Sequence, residues 1–159
     1  MNVKILCVGK IKEKFFKDAI SEYSKRLSKY CSLEIIEVAD EKTSENASDV
    51  EIALVKDKEG ERILKAIKDK DFVIALAILG KQMDSVAFSK YIENLTISGH
   101  SSIVFVIGGS LGLSDSVLSR SDFKISFSEM TFPHQLMRVI LLEQIYRGMR
   151  IINNEPYHK

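Results

Sequence analysis

The last seven residues, Asn153-Asn154-Glu155-Pro156-Tyr157-His158-Lys159, are the most chemically loaded stretch of this 159-residue chain. A phenol can stack on a planar base and can give or take a proton. An imidazole has the side-chain pKa nearest neutrality and suits acid–base work there. Pro156 stiffens the approach to both. A terminus is also where fraying concentrates, so a solvated end is the competing reading.

Two further segments hold groups that could meet a ligand. In Ile107-Gly108-Gly109-Ser110-Leu111-Gly112-Leu113-Ser114, glycines following an apolar run let backbone approach a ligand closely. No Gly-Lys-Ser/Thr follows, and glycines at 108, 109 and 112 do not make GxGxxG, although Glu129, about 20 residues on, mimics the ribose-binding acid of a dinucleotide fold. Taken alone, the segment is a tight turn or a cofactor loop. In residues 127–139, Ser128, Thr131 and the first N–H groups of a following helix could hold a polar ligand. His134 falls in that first turn, where the helix dipole disfavours an imidazolium, so it can serve as a neutral donor or acceptor or simply cap the helix. Arg138, one turn on, could neutralise a phosphate or pair with an acid.

Other chemistries lack their patterns. His100, His134 and His158 have no HxxxH or HExxH spacing and no cysteine beside them, so no metal site is expected. Ser110 in Gly-Gly-Ser-Leu-Gly misses the GxSxG nucleophile elbow by one residue.

Alternating patterns supply the frame for these segments. Short apolar runs at 3–8, 33–38, 72–79, 103–107 and 123–127 read as strands. Apolar residues at helical spacing cover 13–28, 50–67, 84–98 and 115–120, and a last long helix runs over 133–152 with Pro133 in its first turn. Strands alternating with helices predict an α/β fold, a mostly parallel sheet with helices on both faces, forming one domain over 1–159. Ligands then bind outside the carboxyl ends of the strands, where the loops 79–81, 108–113 and 128–132 fall. Apolar residues from Leu136 to Ile152 nearly encircle the last helix, which predicts that one side is covered by a second copy of the chain.

Composition bounds the partners. The chain is 45% apolar and 28% charged, an ordinary globular balance. Its longest apolar run, Phe72 to Leu79, has eight residues against about 20 for a membrane span, so no membrane association is expected. No targeting segment is recognisable at the start, and Cys7 and Cys31 fit buried thiols in a reducing cytoplasm. The net charge of +1 hides an uneven distribution: residues 1–30 hold eight Lys or Arg against three Asp or Glu, and 31–61 hold three against ten. Lys10, Lys12, Lys14 and Lys17 in the basic block are candidates for phosphate contact, the alternative being a solvated helix face.

Joined together, Phe-Val-Ile-Gly-Gly-Ser-Leu-Gly-Leu-Ser at 105–114, the segment from Phe127 through Pro133-His134, Leu136, Arg138, Glu143-Gln144 and Tyr146-Arg147, and the terminal Pro156-Tyr157-His158-Lys159 resemble one family. This is the RlmH family, SPOUT-class methyltransferases acting on pseudouridine N3 of large-subunit rRNA. Gly9-Lys10 and the stretch from Glu22 to Leu27 also match, and the resemblance spans the chain. It implies a C-terminal trefoil knot, a rare departure from unknotted folds. It implies a homodimer that uses S-adenosylmethionine and no metal, with 23S rRNA in the assembled ribosome as partner and the helix 69 loop as target. Carried over by position, the cofactor would touch Leu76, Gly108, Phe127, Ser128, Glu129, Met130, Thr131 and Phe132. The same resemblance gives catalysis to Tyr157 and His158, and substrate contact to His134, Arg138 and Lys159, with one subunit's tail over the other's cofactor. One departure is visible: members often show Leu-Asp-x-x-Gly where this chain has Leu76-Ala77-Ile78-Leu79-Gly80. Two other readings stay open, a nucleotide-binding oxidoreductase resting on the glycine loop and Glu129, and a non-catalytic ribosome-binding factor.

Overall fold

The computed structural model describes all residues, 1–159. Five strands, β1 (Asn2–Val8), β2 (Ser32–Val38), β3 (Phe72–Lys81), β4 (Ser102–Ile107) and β5 (Phe123–Ile125), form one sheet in the order β2-β1-β4-β3-β5, every pairing parallel. Five helices alternate with them: α1 (Lys14–Leu27), α2 (Asp49–Ala66), α3 (Ser85–Ile97), α4 (Asp115–Arg120) and α5 (His134–Ile152). The α/β expectation holds, with helices on both faces.

Burial explains the sequence patterns strand by strand. All six residues of central β4 are buried, so it reads as a continuous apolar run, whereas edge strand β2 has no fully buried residue and alternates. Successive side chains point to opposite faces. Val3, Ile5, Cys7, Ile103, Phe105 and Ile107 therefore join Leu27, Phe88, Leu141, Leu142 and Ile145 under α1, α3 and α5. Leu6, Val8, Val104 and Val106 face the other way, onto Ile63 of α2 and Val117 of α4.

Local chemistry sets the helix starts. Ser48 and Glu51 form a reciprocal capping box on α2, and Asp84 Oδ1 accepts from Ala87 N at 2.7 Å to start α3. Ser114 caps α4. Pro133, expected in the first turn of the last helix, instead occupies the N-cap position with ψ 134°, and His134 is the first helical residue.

Two further departures shape the functional end of the sheet. β5 stops at Ile125 rather than 127, because Ser126 N donates to the Lys81 carbonyl, Ser126 Oγ to the Ser128 carbonyl, and Ser128 Oγ accepts from Met130 N. After the Ser126–Lys81 bond the two local serine bonds replace the strand ladder by a loop. In β3, both Leu76 and Lys81 pair with Ile125, so residues 77–80 swing out of the ladder. Gly80 is required there, since a Cβ would lie 2.6 Å from the Ile125 carbonyl carbon and 2.8 Å from its nitrogen.

Candidate active site

Parallel strands deliver all their outgoing loops to one end, and three of those loops enclose a cavity of about 670 Å³. That lies within the roughly 300–1,000 Å³ of small-molecule sites. Leu76 of β3 with Ala77 and Ile78 of its swung-out part line one side, residues 107–112 another, and residues 125–128 and 130–134 with Met137 the rest. The wall is mainly apolar, with Ser110, Ser126, Ser128, Thr131 and His134 as its polar side chains. Close backbone approach within the glycine loop shapes it: a Cβ on Gly108 would lie 2.8 Å from the Gly112 carbonyl carbon, and Gly112 has φ +88°. Burial, then the Arg138 charge, hold the His134 imidazole below the usual histidine pKa, against weaker opposing effects of Asp40 and Glu13.

Seven of the eight residues named for cofactor contact line this cavity: Leu76, Gly108, Phe127, Ser128, Met130, Thr131 and Phe132. Glu129 does not; it is exposed, outside the wall. His134 is in the wall.

Arg138 is a correction. It is 2% exposed, not free for a phosphate. Its Nη1 donates to Glu37 Oε2 at 2.7 Å, and its Nη2 donates to the carbonyls of Val8 at 3.0 Å and Gly9 at 2.6 Å. Burial of a guanidinium requires such partners, and they tie α5 to the turn after β1, where Gly9 has φ +83°.

The tail folds back on α5 and does not reach the cavity of its own chain. Glu155 is held by Lys29 Nζ at 2.9 Å, by Arg150 Nη1 at 2.8 Å and by the Tyr30 hydroxyl, and Arg150 Nη2 donates to the Pro156 carbonyl at 2.9 Å. Tyr157 packs edge-on against Tyr146, ring centroids 4.9 Å apart, and its hydroxyl donates to Glu143 Oε1 at 3.2 Å. Arg147 lies over the Tyr157 ring at 4.7 Å, pairs with Glu143 at 2.6 Å and reaches His158 Nδ1 at 3.4 Å. Burial and Glu143 push the Tyr157 phenol above its usual pKa, so at neutral pH it is a donor. Lys159 is exposed. Glu143 and Arg147 enter the sequence reading only as part of the family motif, with no role assigned; their i,i+4 spacing in a helix was the available signal. Lys10, Lys12, Lys14 and Lys17 are all exposed, with Lys14 engaged by Asp18 at 2.6 Å.

No cluster of three or more His, Cys, Asp or Glu is arranged to hold a metal, and no helix is long and apolar enough to cross a membrane.

Comparison with known proteins places this geometry in context. A family model described as "Predicted SPOUT methyltransferase" matches residues 1–158. A Clostridium botulinum (strain Kyoto / Type A2) protein named ribosomal RNA large subunit methyltransferase H is 65% identical over 159 residues, all of both chains. Its counterpart of the same name in Clostridium beijerinckii is 60% identical over the same full lengths, and a putative one in Methanococcus maripaludis is 65% identical. Among solved structures, a probable methylase family protein from Haemophilus influenzae Rd KW20 is similar with a TM-score of 0.55, covering 99% of this chain and 70% of that one; at 11% identity the likeness is of fold.

Proposed function

Because the chain belongs to the SPOUT methyltransferase family, we propose that it methylates large-subunit ribosomal RNA, using S-adenosylmethionine held in the cavity between the three loops. The single observation that carries the reading is that cavity. Its apolar wall, its close-approach glycines and seven of eight expected contact residues lie together at the carboxyl ends of β3, β4 and β5.

The residues present fit the cofactor. Leu76, Ile78, Phe127 and Phe132 offer apolar surface for a purine and ribose, and Gly108 and Gly112 give access to main-chain donors and acceptors. Ala77 brings no carboxylate where relatives of the family often carry an acid, so adenine recognition falls to backbone groups. When bound, S-adenosylmethionine supplies an electrophilic methyl group on a sulfonium.

The finer reading makes N3 of a pseudouridine in the helix 69 loop of 23S rRNA the acceptor, within the assembled ribosome. The protein's task is then alignment of N3 with the methyl group, together with removal of the weakly acidic N3 proton. Tyr157 and His158 take that proton work. A proton reaching the Tyr157 oxygen requires the phenol's own proton to move on, and Glu143 Oε1 at 3.2 Å is placed to accept it. Arg147 donates toward His158 Nδ1, so Nε2 carries a hydrogen and His158 donates to the base, while Tyr157 accepts the N3 proton. Lys159 and the exposed lysines 10, 12, 14 and 17 supply phosphate contacts.

Since the tail lies away from its own cavity, the reading requires a homodimer in which each tail serves the other subunit. Leu136, Val139 and Ile140 support it: they lie on α5, are only half-buried and belong to neither side of the core. Threading of the C-terminal segment as a trefoil knot belongs to the same reading.

The test is methyl transfer from labelled S-adenosylmethionine to ribosomes from cells lacking this protein, with the product nucleotide mapped by mass spectrometry. The expected result is label at N3 of a helix 69 pseudouridine, and none where that base is left as uridine. Label on another nucleotide overturns the substrate. Cofactor binding with no transfer to any ribosomal RNA overturns the enzymatic reading in favour of a ribosome-binding factor.

A further inference from the structure

No Asp or Glu side chain lines the cavity. One carboxylate touches its wall from behind. Glu59 of α2 is 4% exposed, an uncommon state for an acid, and the proton work assigned to the tail makes no use of it. Its Oε2 accepts from Glu41 N at 3.0 Å. A Cβ placed on Gly109 would lie 3.2 Å from Glu59 Oε1 and 3.4 Å from Oε2, with Val8 Cγ1 at 3.2 Å on another side. Gly109 has no positive φ to account for it. The missing side chain makes room for the carboxylate, leaving one layer of main chain between Glu59 and the cavity.

The surroundings of Glu59 do not cancel its charge. Asp40, Glu41 and Arg62 are the charged groups that face it. Arg62 is committed elsewhere, to Glu41 and to the Ala39 carbonyl at 2.9 Å. Burial, and then the neighbouring acids, raise the Glu59 pKa above the usual carboxylate value, opposed by the Glu41 N–H and by Arg62.

We propose that Glu59 is a specificity-determining residue of the cofactor pocket: its buried carboxylate, one glycine behind the wall, favours a sulfonium over a thioether. The inference rests on the cofactor reading above. The methyl donor and its demethylated product, S-adenosylhomocysteine, differ at the sulfur, cationic in one and neutral in the other. A sulfonium bound beyond the glycine loop favours the ionised form of Glu59, and the carboxylate in turn stabilises the donor while leaving the neutral product unaffected. Across one backbone layer at an effective dielectric near 20, the attraction is worth roughly tenfold in affinity. The consequence is preferential donor capture and easier product release from a wall that itself holds no acid.

The experiment is calorimetric titration of S-adenosylmethionine and of S-adenosylhomocysteine into the full-length wild type, Glu59→Gln and Glu59→Asp. Gln preserves volume and can still accept from Glu41 N, while Asp keeps the charge on a shorter arm. The expected result is that Glu59→Gln weakens S-adenosylmethionine roughly tenfold and the homocysteine compound little, while Glu59→Asp keeps the wild-type ratio of the two. Equal weakening of both ligands by Glu59→Gln, or no change in either, assigns the residue to packing and overturns the proposal. Should Glu59→Gln not fold, the ratio in Glu59→Asp decides instead, a loss of discrimination overturning it. Failure of the wild type to bind either ligand overturns the cofactor reading itself, a distinct outcome.

Discussion

Arg138 and Glu37, 101 residues apart in sequence, stand 2.7 Å apart, and the same guanidinium closes onto the carbonyls of Val8 and Gly9. Glu37 Oε2 also accepts from Ile11 N at 3.0 Å. One arginine thus joins the second turn of α5 to the ends of β1 and β2, immediately beside His134 in the cavity wall.

This makes Arg138 a structural residue. Arg138→Ala strands a carboxylate and two buried carbonyls, and is expected to cost about 3 kcal/mol, the low end for removing one partner of a buried pair because Glu37 is partly exposed. Urea denaturation measures it. A variant as stable as the wild type, with impaired RNA binding, would restore the phosphate-contact role.

The two thiols should be inert. Burial pushes the Cys7 thiol up to about 12, outweighing the opposing Arg138 charge, and burial also raises Cys31. Since the thiolate is the reactive form, neither should react with a thiol reagent near pH 8 until the protein unfolds. Thiol titration of native and denatured protein checks this, and rapid native labelling would contradict it.

His134 should stay neutral at physiological pH, its pKa held below 6.5 mainly by burial. A depressed histidine pKa means that the unfolded chain binds more protons in that range. Stability at His134 is therefore full above about 6.5 and is lost as pH falls from there through the folded pKa. The imidazole resonances followed by NMR should titrate at lower pH in the folded than in the urea-unfolded protein. A His134→Gln variant should lose part of the acid sensitivity seen in denaturation curves. Coincident titrations in the two states would contradict the assignment.

Tyr157→Phe and His158→Ala should lose methyl transfer by at least about a hundredfold, the lower range for positioned acid–base groups, while binding S-adenosylhomocysteine like the wild type. Mixing the His158→Ala chain with one carrying a crippled cavity, Gly108→Ala, should restore part of the activity if each tail serves the other subunit. Full activity in both single variants would remove the tail from the chemistry.

Strand β4 was legible as a buried strand because every one of its residues is covered, and α2 and α3 because their apolar residues recur at helical spacing. The loops carrying the cavity were legible by type, since Gly108, Ser128 and His134 follow directly on those patterns. Residue type does not reveal burial: Glu129 is exposed outside the cavity wall, and Arg138, readable as a phosphate contact or as the partner of an acid, is spent on Glu37 and two carbonyls.

The sequence by itself determined the alternation of strands and helices, the end of the sheet where the cavity lies, and membership of a family carried by motifs from Gly9 to Lys159. Those are properties of neighbouring residues, governed by periodicity, capping and backbone freedom. Tertiary structure alone decided that residues 77–80 leave the β3 ladder, that Tyr157 meets Glu143 rather than the cavity of its own chain, and that Glu59 lies behind Gly109. Each depends on segments far apart in the chain packing into one volume, where burial sets both the reach and the charge of a side chain.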